Sequence, residues 1–278
     1  MPSYPAAGDR LRQWIARHRR VFALTGAGCS TASGIPDYRD DRGAWKRRPP
    51  VMIQAFRSSD AVYTRYWARA YAGWPRFTSV APGAAHRAFA AWESAGRLLQ
   101  LVTQNVDGLH QRAGSRAVID LHGRLDAVVC LGCGERTERS ELQGAMADLN
   151  PSWLADAIAA PDGDADIPDT LLQSFVPPRC ERCGGLMKPD VVFFGENVPA
   201  ARYASARDAL ARADALLVAG SSLMVYSGFR FVRAAHDAGL PIAIVNRGDT
   251  RGDDLCELKV AGDVGCAVTE AVLAAFEG

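Results

Sequence analysis

The sequence predicts an α/β protein built on a doubly wound, parallel, Rossmann-like sheet with a smaller domain attached. Three observations carry this. Short apolar runs bounded by turn residues recur at Val21–Leu24, Leu98–Thr103, Val118–Leu121, Val191–Phe194, Ala215–Ala219 and Ile242–Val245, and read as strands buried on both faces. Helical patterns lie between them, at Ala84–Ala95, Ala201–Ala213, Gly228–Ala238 and Ala267–Phe276, which is the alternation of a wound parallel sheet. Two stretches break the alternation: Trp45–Trp74, aromatic and arginine-rich with Pro49-Pro50, and Leu125–Lys188, which carries four cysteines. These insertions are expected to meet in space. Residues 1–44, 79–124 and 189–278 are assigned to the sheet domain, 45–78 to a helical part of the smaller domain and 125–188 to its metal-binding part.

At the N-terminus Arg10, Arg12, Arg17, Arg19 and Arg20 could suggest an organellar transit sequence, but Asp9 interrupts them and the segment runs straight into the first strand. Leu11, Trp14 and Ile15 share one helical face, so an amphipathic helix packed on the sheet is expected, with no address and a cytoplasmic location. The chain has 278 residues, 48% of them hydrophobic, enough for a large domain with a smaller one beside it. A net charge of +1 gives no basis for general affinity to nucleic acid or anionic membrane, and no apolar run is long enough to span a bilayer. Lysine occurs only at Lys46, Lys188 and Lys259.

After the first strand comes Thr25-Gly26-Ala27-Gly28-Cys29-Ser30, a loop whose glycines let backbone amides approach a pyrophosphate at a helix N-terminus. Thr31 stands where the third glycine of a dinucleotide fingerprint would fall, and no acid follows at the usual distance, so an ordinary dehydrogenase is disfavoured. A glycine turn that merely packs strand against helix is the competing reading. Other strand ends are also polar: Gln104-Asn105-Val106-Asp107, His122-Gly123, Gly220-Ser221-Ser222 and Asn246-Arg247 gather at one rim of the sheet. A histidine among amides and a carboxylate is a general-base candidate near neutral pH, with helix or strand capping as the alternative for His122. His18, His86, His110 and His236 are expected to be structural.

Cys130/Cys133 and Cys180/Cys183 form two Cys-x-x-Cys pairs, each followed by glycine that relieves the turn imposed by two sulfurs facing one ion. One structural zinc ion is expected. Disulfides are the alternative, but nothing in the chain looks secreted. Four thiolates close the coordination sphere and leave no position for a catalytic water. Cys29, Cys256 and Cys266 are expected to be free thiols.

Taken together, these motifs resemble the sirtuin family of NAD-dependent protein-lysine deacylases. The resemblance rests on Thr25–Ser30, Gly34-Ile35-Pro36-Asp37-Tyr38-Arg39, Thr103–His110, His122-Gly123, the four cysteines, Phe194-Gly195-Glu196, Gly220-Ser221-Ser222-Leu223 and Asn246-Arg247, in the family's order along nearly the whole chain. Val191–Glu196 and the tyrosine of Pro36-Asp37-Tyr38-Arg39 resemble the class II branch of bacteria and mitochondria. The resemblance implies NAD as co-substrate, with its pyrophosphate near Gly26, Ala27 and Ser222, its adenosine ribose near Ser221 and Asn246, and its adenine near Cys266. It also implies a nicotinamide pocket at Ile35, Asn105 and Asp107 under a loop containing Asp37, Tyr38 and Arg39. Ser30, Gln104, Val106, Gly220, Arg247 and Gly248 complete the implied cofactor site.

His122 and Asn105 are the implied catalytic residues: the acyl-lysine carbonyl oxygen attacks the ribose as nicotinamide leaves, His122 takes a proton from the ribose hydroxyls, and the acyl group departs on ADP-ribose. The partner is acylated lysine in a protein or peptide, paired as a strand between Val192-Phe193-Phe194-Gly195-Glu196 and Leu223 to Val225, and the chain is expected to act as a monomer. Tyr38, Ser221 and Ser227 stand where many members have Phe, Thr and Pro. Tyr66 and Arg69, three residues apart on a helix, resemble the pair with which some sirtuins hold an acidic acyl group. The competing reading places Tyr66 in an apolar helical stripe with Tyr63, Trp67, Ala70 and Trp74, leaving Arg69 solvated. A mono-ADP-ribosyltransferase and a non-enzymatic nucleotide-sensing module are the rival functions.

Overall fold

The fold is described from a computed structural model covering residues 7–37, 40–46, 50–151, 153, 158–159 and 165–274. In chain order the elements are α1 (Ala7–Arg17), β1 (Val21–Thr25), α2 (Ile53–Ser58), α3 (Asp60–Ser79), α4 (Ala84–Ser94), β2 (Leu98–Thr103), α5 (Leu109–Arg112) and β3 (Val118–Asp120). There follow β4 (Gly123–Cys130), β5 (Arg136–Glu138), α6 (Arg139–Leu149), β6 (Ile158–Ala159), β7 (Ala165–Asp166), α7 (Asp169–Leu172) and β8 (Met187–Val191). The chain closes with α8 (Ala200–Leu210), β9 (Ala215–Ala219), α9 (Tyr226–Asp237), β10 (Ile242–Val245), β11 (Leu258–Val260) and α10 (Val264–Ala274).

Six strands form one sheet in the order β11-β10-β9-β1-β2-β3, and every pairing in it is parallel. Strand order therefore reverses between β1 and β9, the place where wound sheets open a crevice at their carboxyl ends. All five residues of β1 are buried because the sheet is covered on both faces. Its side chains alternate: Val21 and Ala23 join Leu11, Trp14, Ile15, Phe89, Trp92 and Val268 under α1, α4 and α10, whereas Phe22 and Leu24 join Leu210, Phe231 and Val232 under α8 and α9. The expected N-terminal helix is thus an integral part of the fold, and Trp14 Nε1 donates to Glu257 Oε1 at 2.6 Å.

A second body holds its own core of Phe56, Tyr63, Trp67, Tyr71, Val128, Met146, Trp153 and Phe175. Its antiparallel sheet runs β5-β4-β8, and the short, separate β6–β7 pair packs on α3. Tyr63 links both insertions, donating to Pro178 O at 2.5 Å and accepting from the Met187 amide at 3.0 Å. The buried guanidinium of Arg139 does the same from α6, lying 4.5 Å from the Trp74 ring centre and donating to Ala70 O.

Two expectations need correction. Val191–Phe194 is not a strand of the parallel sheet: Val191 ends β8, which pairs antiparallel with β4, and the residues beyond it leave the sheet to line the crevice, with Phe194 exposed. Much of their apolar character serves the smaller body's core, where Phe193 is buried against Phe56 and Tyr66 with Val191 beside it, and not burial between two helical layers. The sheet's sixth strand is instead β11, whose middle residue Lys259 hides it from a search for apolar runs.

Candidate active site

The polar strand ends do gather at one rim. Gly26 follows β1 and Gly220 follows β9, and their two loops close on each other across the strand-order reversal. The Gly26 amide donates to Ala219 O at 3.0 Å and the Gly28 amide to Gly220 O at 2.8 Å. A Cβ on Gly26 would lie 2.7 Å from Gly220 O, and one on Gly28 would lie 2.7 Å from Gly220 Cα. The glycines are therefore required first for loop against loop, the packing role weighed from sequence, and that packing shapes the rim. Within Gly26–Ser30 the Ala27 amide is the one with no hydrogen bond among the described residues, so it stays available to an anionic ligand. Leu223, in the β9 loop, takes φ 59°, the one non-glycine residue with positive φ among those described. A buried leucine in this region stores backbone strain in the segment beside the rim.

On one side of the rim, Ser30 is the centre of a closed network. His86 Nδ1 accepts from the Gly83 amide at 3.1 Å, so in the neutral ring Nε2 carries the hydrogen and donates to Ser30 Oγ at 3.3 Å. Asn105 Nδ2 donates both to Ser30 Oγ at 3.1 Å and to Gly26 O at 3.0 Å, which fixes its amide and leaves Oδ1 outside these bonds. Ser30 Oγ in turn donates to Asp107 Oδ2 at 2.7 Å, and Asp107 Oδ1 accepts from the Leu109 amide. Amide, hydroxyl and carboxylate are thereby locked relative to one another. His86 was expected to be structural, and it is buried; its bond into the site is a contact 56 residues away in sequence, with no local signal. Burial pushes its pKa down, and burial takes His110 to about 3, so both remain neutral at physiological pH.

On the other side stands His122, between β3 and β4. Its Nδ1 lies 2.9 Å from Gln104 O, a pure acceptor, so Nδ1 carries the hydrogen and the neutral ring presents a lone pair at Nε2. The His122 carbonyl accepts from the Val192 amide at 2.7 Å. Gly123, at φ +84°, permits the turn that follows: a Cβ there would fall 1.9 Å from Asp190 O. Gln104 is fixed in turn, its Oε1 accepting from Ser221 Oγ at 2.6 Å. Burial lowers the pKa of His122; Arg202 and Arg230 lower it further, against the opposing bond to Gln104. The base form persists down to the folded pKa, which lies under the ordinary 6.5, and is lost as pH falls through it. The acidic limb of kcat/KM is accordingly expected below pH 6.5; a limb above that value would remove His122 from the role of titrating base.

Elsewhere on the rim, Asn246 Nδ2 donates to Gly248 O at 2.9 Å, and the Asp249 amide donates to Asp41 O at 3.0 Å. Asp41 is a neighbour that sequence reasoning missed. Arg247 lies 3.6 Å from Asp263, and the exposed Cys266, at the start of α10, donates its amide to Asp263 Oδ1. Ile35 and Asp37 lie after the glycine loop, with Asp37 paired to Lys46 at 2.6 Å; Tyr38 and Arg39 fall outside the described residues. Ser222 and Val106 are half-buried at their strand ends.

Along the crevice wall, Lys188 reaches from β8 to Glu196 at 3.0 Å, and Glu196 accepts from the Phe193 amide at 2.7 Å. The Val192–Glu196 segment is thus held by a nearly buried ammonium, which sequence reading did not single out. Met52 forms a parallel bridge with Phe194. Tyr66 packs edge-on against Phe56 and Trp67 and lies 5.3 Å from the Phe193 ring centre, while Arg69 is half-buried one turn further on. Val225 caps α9 beside Leu223.

The four cysteines converge. Their sulfurs all lie within 4.8 Å of one another, with Cys130 to Cys183 at 3.5 Å and Cys133 to Cys180 at 3.7 Å. A tetrahedron with zinc–sulfur bonds of about 2.3 Å has edges of about 3.8 Å, whereas a disulfide needs about 2.05 Å, so the arrangement fits one zinc ion and not two bridges. Cys29 and Cys256 are free thiols, as expected, and burial raises Cys29 to about 12, which makes it unreactive.

The wound sheet, the thiolate knuckle and the polar rim between them define a nucleotide-handling enzyme fold with a structural metal. This chain belongs to the Sir2 (sirtuin) family, whose profile matches residues 26–227. It is 59% identical over 261 residues, 94% of this chain and 96% of the relative, to NAD-dependent protein deacetylase 2 of Bradyrhizobium diazoefficiens. It is 48% identical over 263 residues, 93% of this chain and 84% of the relative, to human NAD-dependent protein lipoamidase sirtuin-4, mitochondrial. Among solved structures, a Sir2 protein with a p53 peptide and NAD+ superposes with a TM-score of 0.74 at 30% identity, covering 96% of each chain. A Sir2 protein bound to a propionylated peptide gives 0.74 at 30% identity, over 96% of this chain and 97% of that one.

Proposed function

We propose that the chain is an NAD-dependent protein-lysine deacylase in which His122 is the general base and Asn105, with Ser30 and Asp107, orders the nicotinamide end of the cofactor. The observation that carries the reading is the pair of locked networks at the rim: a neutral imidazole whose Nε2 is an acceptor, and an amide, hydroxyl and carboxylate held within hydrogen-bond distance of one another. Bound NAD would supply the ribose carbon that receives the acyl oxygen. The Ala27 amide and Ser222 would meet its pyrophosphate, Ser221 and Asn246 its second ribose, and Cys266 its adenine; Gly220, Val106, Gln104, Arg247 and Gly248 would shape the walls. Asp37, Tyr38 and Arg39 would cover the nicotinamide.

The acyl peptide would add as a strand between Val192–Glu196 and Leu223–Val225, where main-chain bonds give affinity with modest sequence preference. Assignment to the class II branch is supported by the 48% identity to sirtuin-4. The three-way division of the chain into 1–44 with 79–124 and 189–278, 45–78, and 125–188 is supported by the separate core of the two insertions. A cytoplasmic monomer completes the reading, and the near-neutral charge supports the absence of nucleic-acid and anionic-membrane partners. Deacylation is preferred over ADP-ribosyl transfer to protein because both His122 and Asn105 are present and positioned.

Acyl preference is tested by a panel of acetyl-, succinyl-, glutaryl- and long-chain-lysine peptides on wild type and Arg69→Met. The aromatic packing of Tyr66 against Phe56, Trp67 and Phe193 favours an apolar pocket wall, so the expected result is turnover of uncharged acyl groups and an equal, small effect of Arg69→Met on all of them. Selective loss of the charged acyl groups in that variant would instead make Tyr66 and Arg69 a carboxylate site.

A further inference from the structure

The first turn of α9 brings a hydroxyl onto the base. Ser227 Oγ lies 2.7 Å from His122 Nε2, a contact spanning 105 residues of sequence. Because Nδ1 must donate to Gln104 O, Nε2 of the neutral ring can only accept, and Ser227 can only donate. The serine is itself half-buried, and the helix turn that carries it is tied down by the Arg230 Nε bond to Ser227 O at 3.2 Å and by the packing of Gly228 against Gln104, whose Nε2 would be 2.5 Å from a Cβ there. Gln104 therefore supports both ends of the contact, through its carbonyl on the imidazole and its side chain against α9.

We propose that Ser227 is a positioning residue for the general base: its hydroxyl holds His122 in the tautomer and ring orientation that offer Nε2 as acceptor, and occupies in the free enzyme the place that the ribose hydroxyl takes in the reacting complex. The proposal rests on the assignment of His122 above. In the reacting complex the ribose hydroxyl would replace the serine on Nε2: its O–H bond would break as the Nε2–H bond forms, and the ribose oxygen would add to the acyl carbon as that carbon's C=N π pair moves to the lysine nitrogen. While the ring is neutral the serine donates to Nε2, and once the ring is protonated the hydroxyl can turn and accept from Nε2–H, so the contact fixes the ring's orientation in both states. Arg202 from α8 and Arg230 from α9, the charged groups facing the ring, oppose its protonation.

The test follows the ring itself. Histidine side-chain nitrogen NMR on full-length wild type, Ser227→Ala and Ser227→Thr, with the His122 signal assigned through His122→Ala, reads tautomer and titration midpoint without any substrate. At a pH where the ring is neutral, the Nε2 signal of Ser227→Ala is expected to move downfield, towards that of a pyridine-type nitrogen with no donor, and Ser227→Thr to bring it back, with kcat/KM falling in the first variant and recovering in the second. An unchanged Nε2 signal in folded Ser227→Ala, or failure of threonine to restore it, overturns the proposal. Should wild type prove inactive on NAD and acyl peptide, the nitrogen signals still decide the role of Ser227, so the two failures are separable.

Discussion

His122→Ala is expected to lower deacylation turnover by about 10²-fold or more while leaving NAD affinity within a few-fold of wild type, the usual scale for a positioned base. The expectation follows from the geometry of one ring. Its Nδ1–H is committed to Gln104 O, and its Nε2 lone pair accepts from the Ser227 hydroxyl, which a ribose hydroxyl can replace. Burial and two arginines keep it neutral, so it reaches the reaction ready to accept a proton. Nothing in that arrangement grips the pyrophosphate or adenine, which is why calorimetric NAD binding should survive. Near-normal turnover in the folded variant would remove His122 from the mechanism, and a parallel collapse of NAD binding would make it a structural residue.

Removal of zinc is expected to have the largest effect on stability. Two ligands leave from Cys130 and Cys133 at the end of β4, and two from Cys180 and Cys183 just before β8, so the ion closes the sheet that carries the crevice wall. Beyond β8 lies the Lys188 to Glu196 pair and the Val192–Glu196 segment. Wild type should hold about one zinc per chain, since a closed four-thiolate site takes a single ion. Cys180→Ser should lose most of it and lower the thermal midpoint by about 10 °C, given about 2–4 °C per kcal/mol for domains of comparable size. Acyl-peptide affinity should fall with it, because the segment after β8 loses its anchor. A variant that lost zinc yet kept wild-type stability and activity would contradict the structural role of the ion.

The strands of the wound sheet that are buried on both faces were plain in the sequence, because Val21–Leu24, Ala215–Ala219 and Ile242–Val245 have no polar residue to obscure them. β11 was not, since an edge strand with Lys259 at its centre has no continuous apolar run. Val191–Phe194 misled for a related reason: an apolar run records contact with apolar surroundings and does not distinguish the interior of one sheet from the core of the neighbouring body. At the site, residues that end strands were legible because polar side chains there have no core to join. His86 and Asp41 were not recognised as site neighbours, and Ser227, read as part of the peptide-binding segment, was not seen to reach His122, since each contact joins residues far apart in sequence and no local spacing encodes it.

Incubating the wild-type protein with NAD and an acetyl-lysine peptide, then measuring nicotinamide, deacylated peptide and acyl-ADP-ribose by mass spectrometry, tests the account most directly. The rim described above predicts equal amounts of all three products, with none formed when NAD is omitted. Nicotinamide released without deacylated peptide, and with ADP-ribose attached to protein, would contradict the account and establish the transferase in its place; no nicotinamide at all would reduce the rim to a binding site.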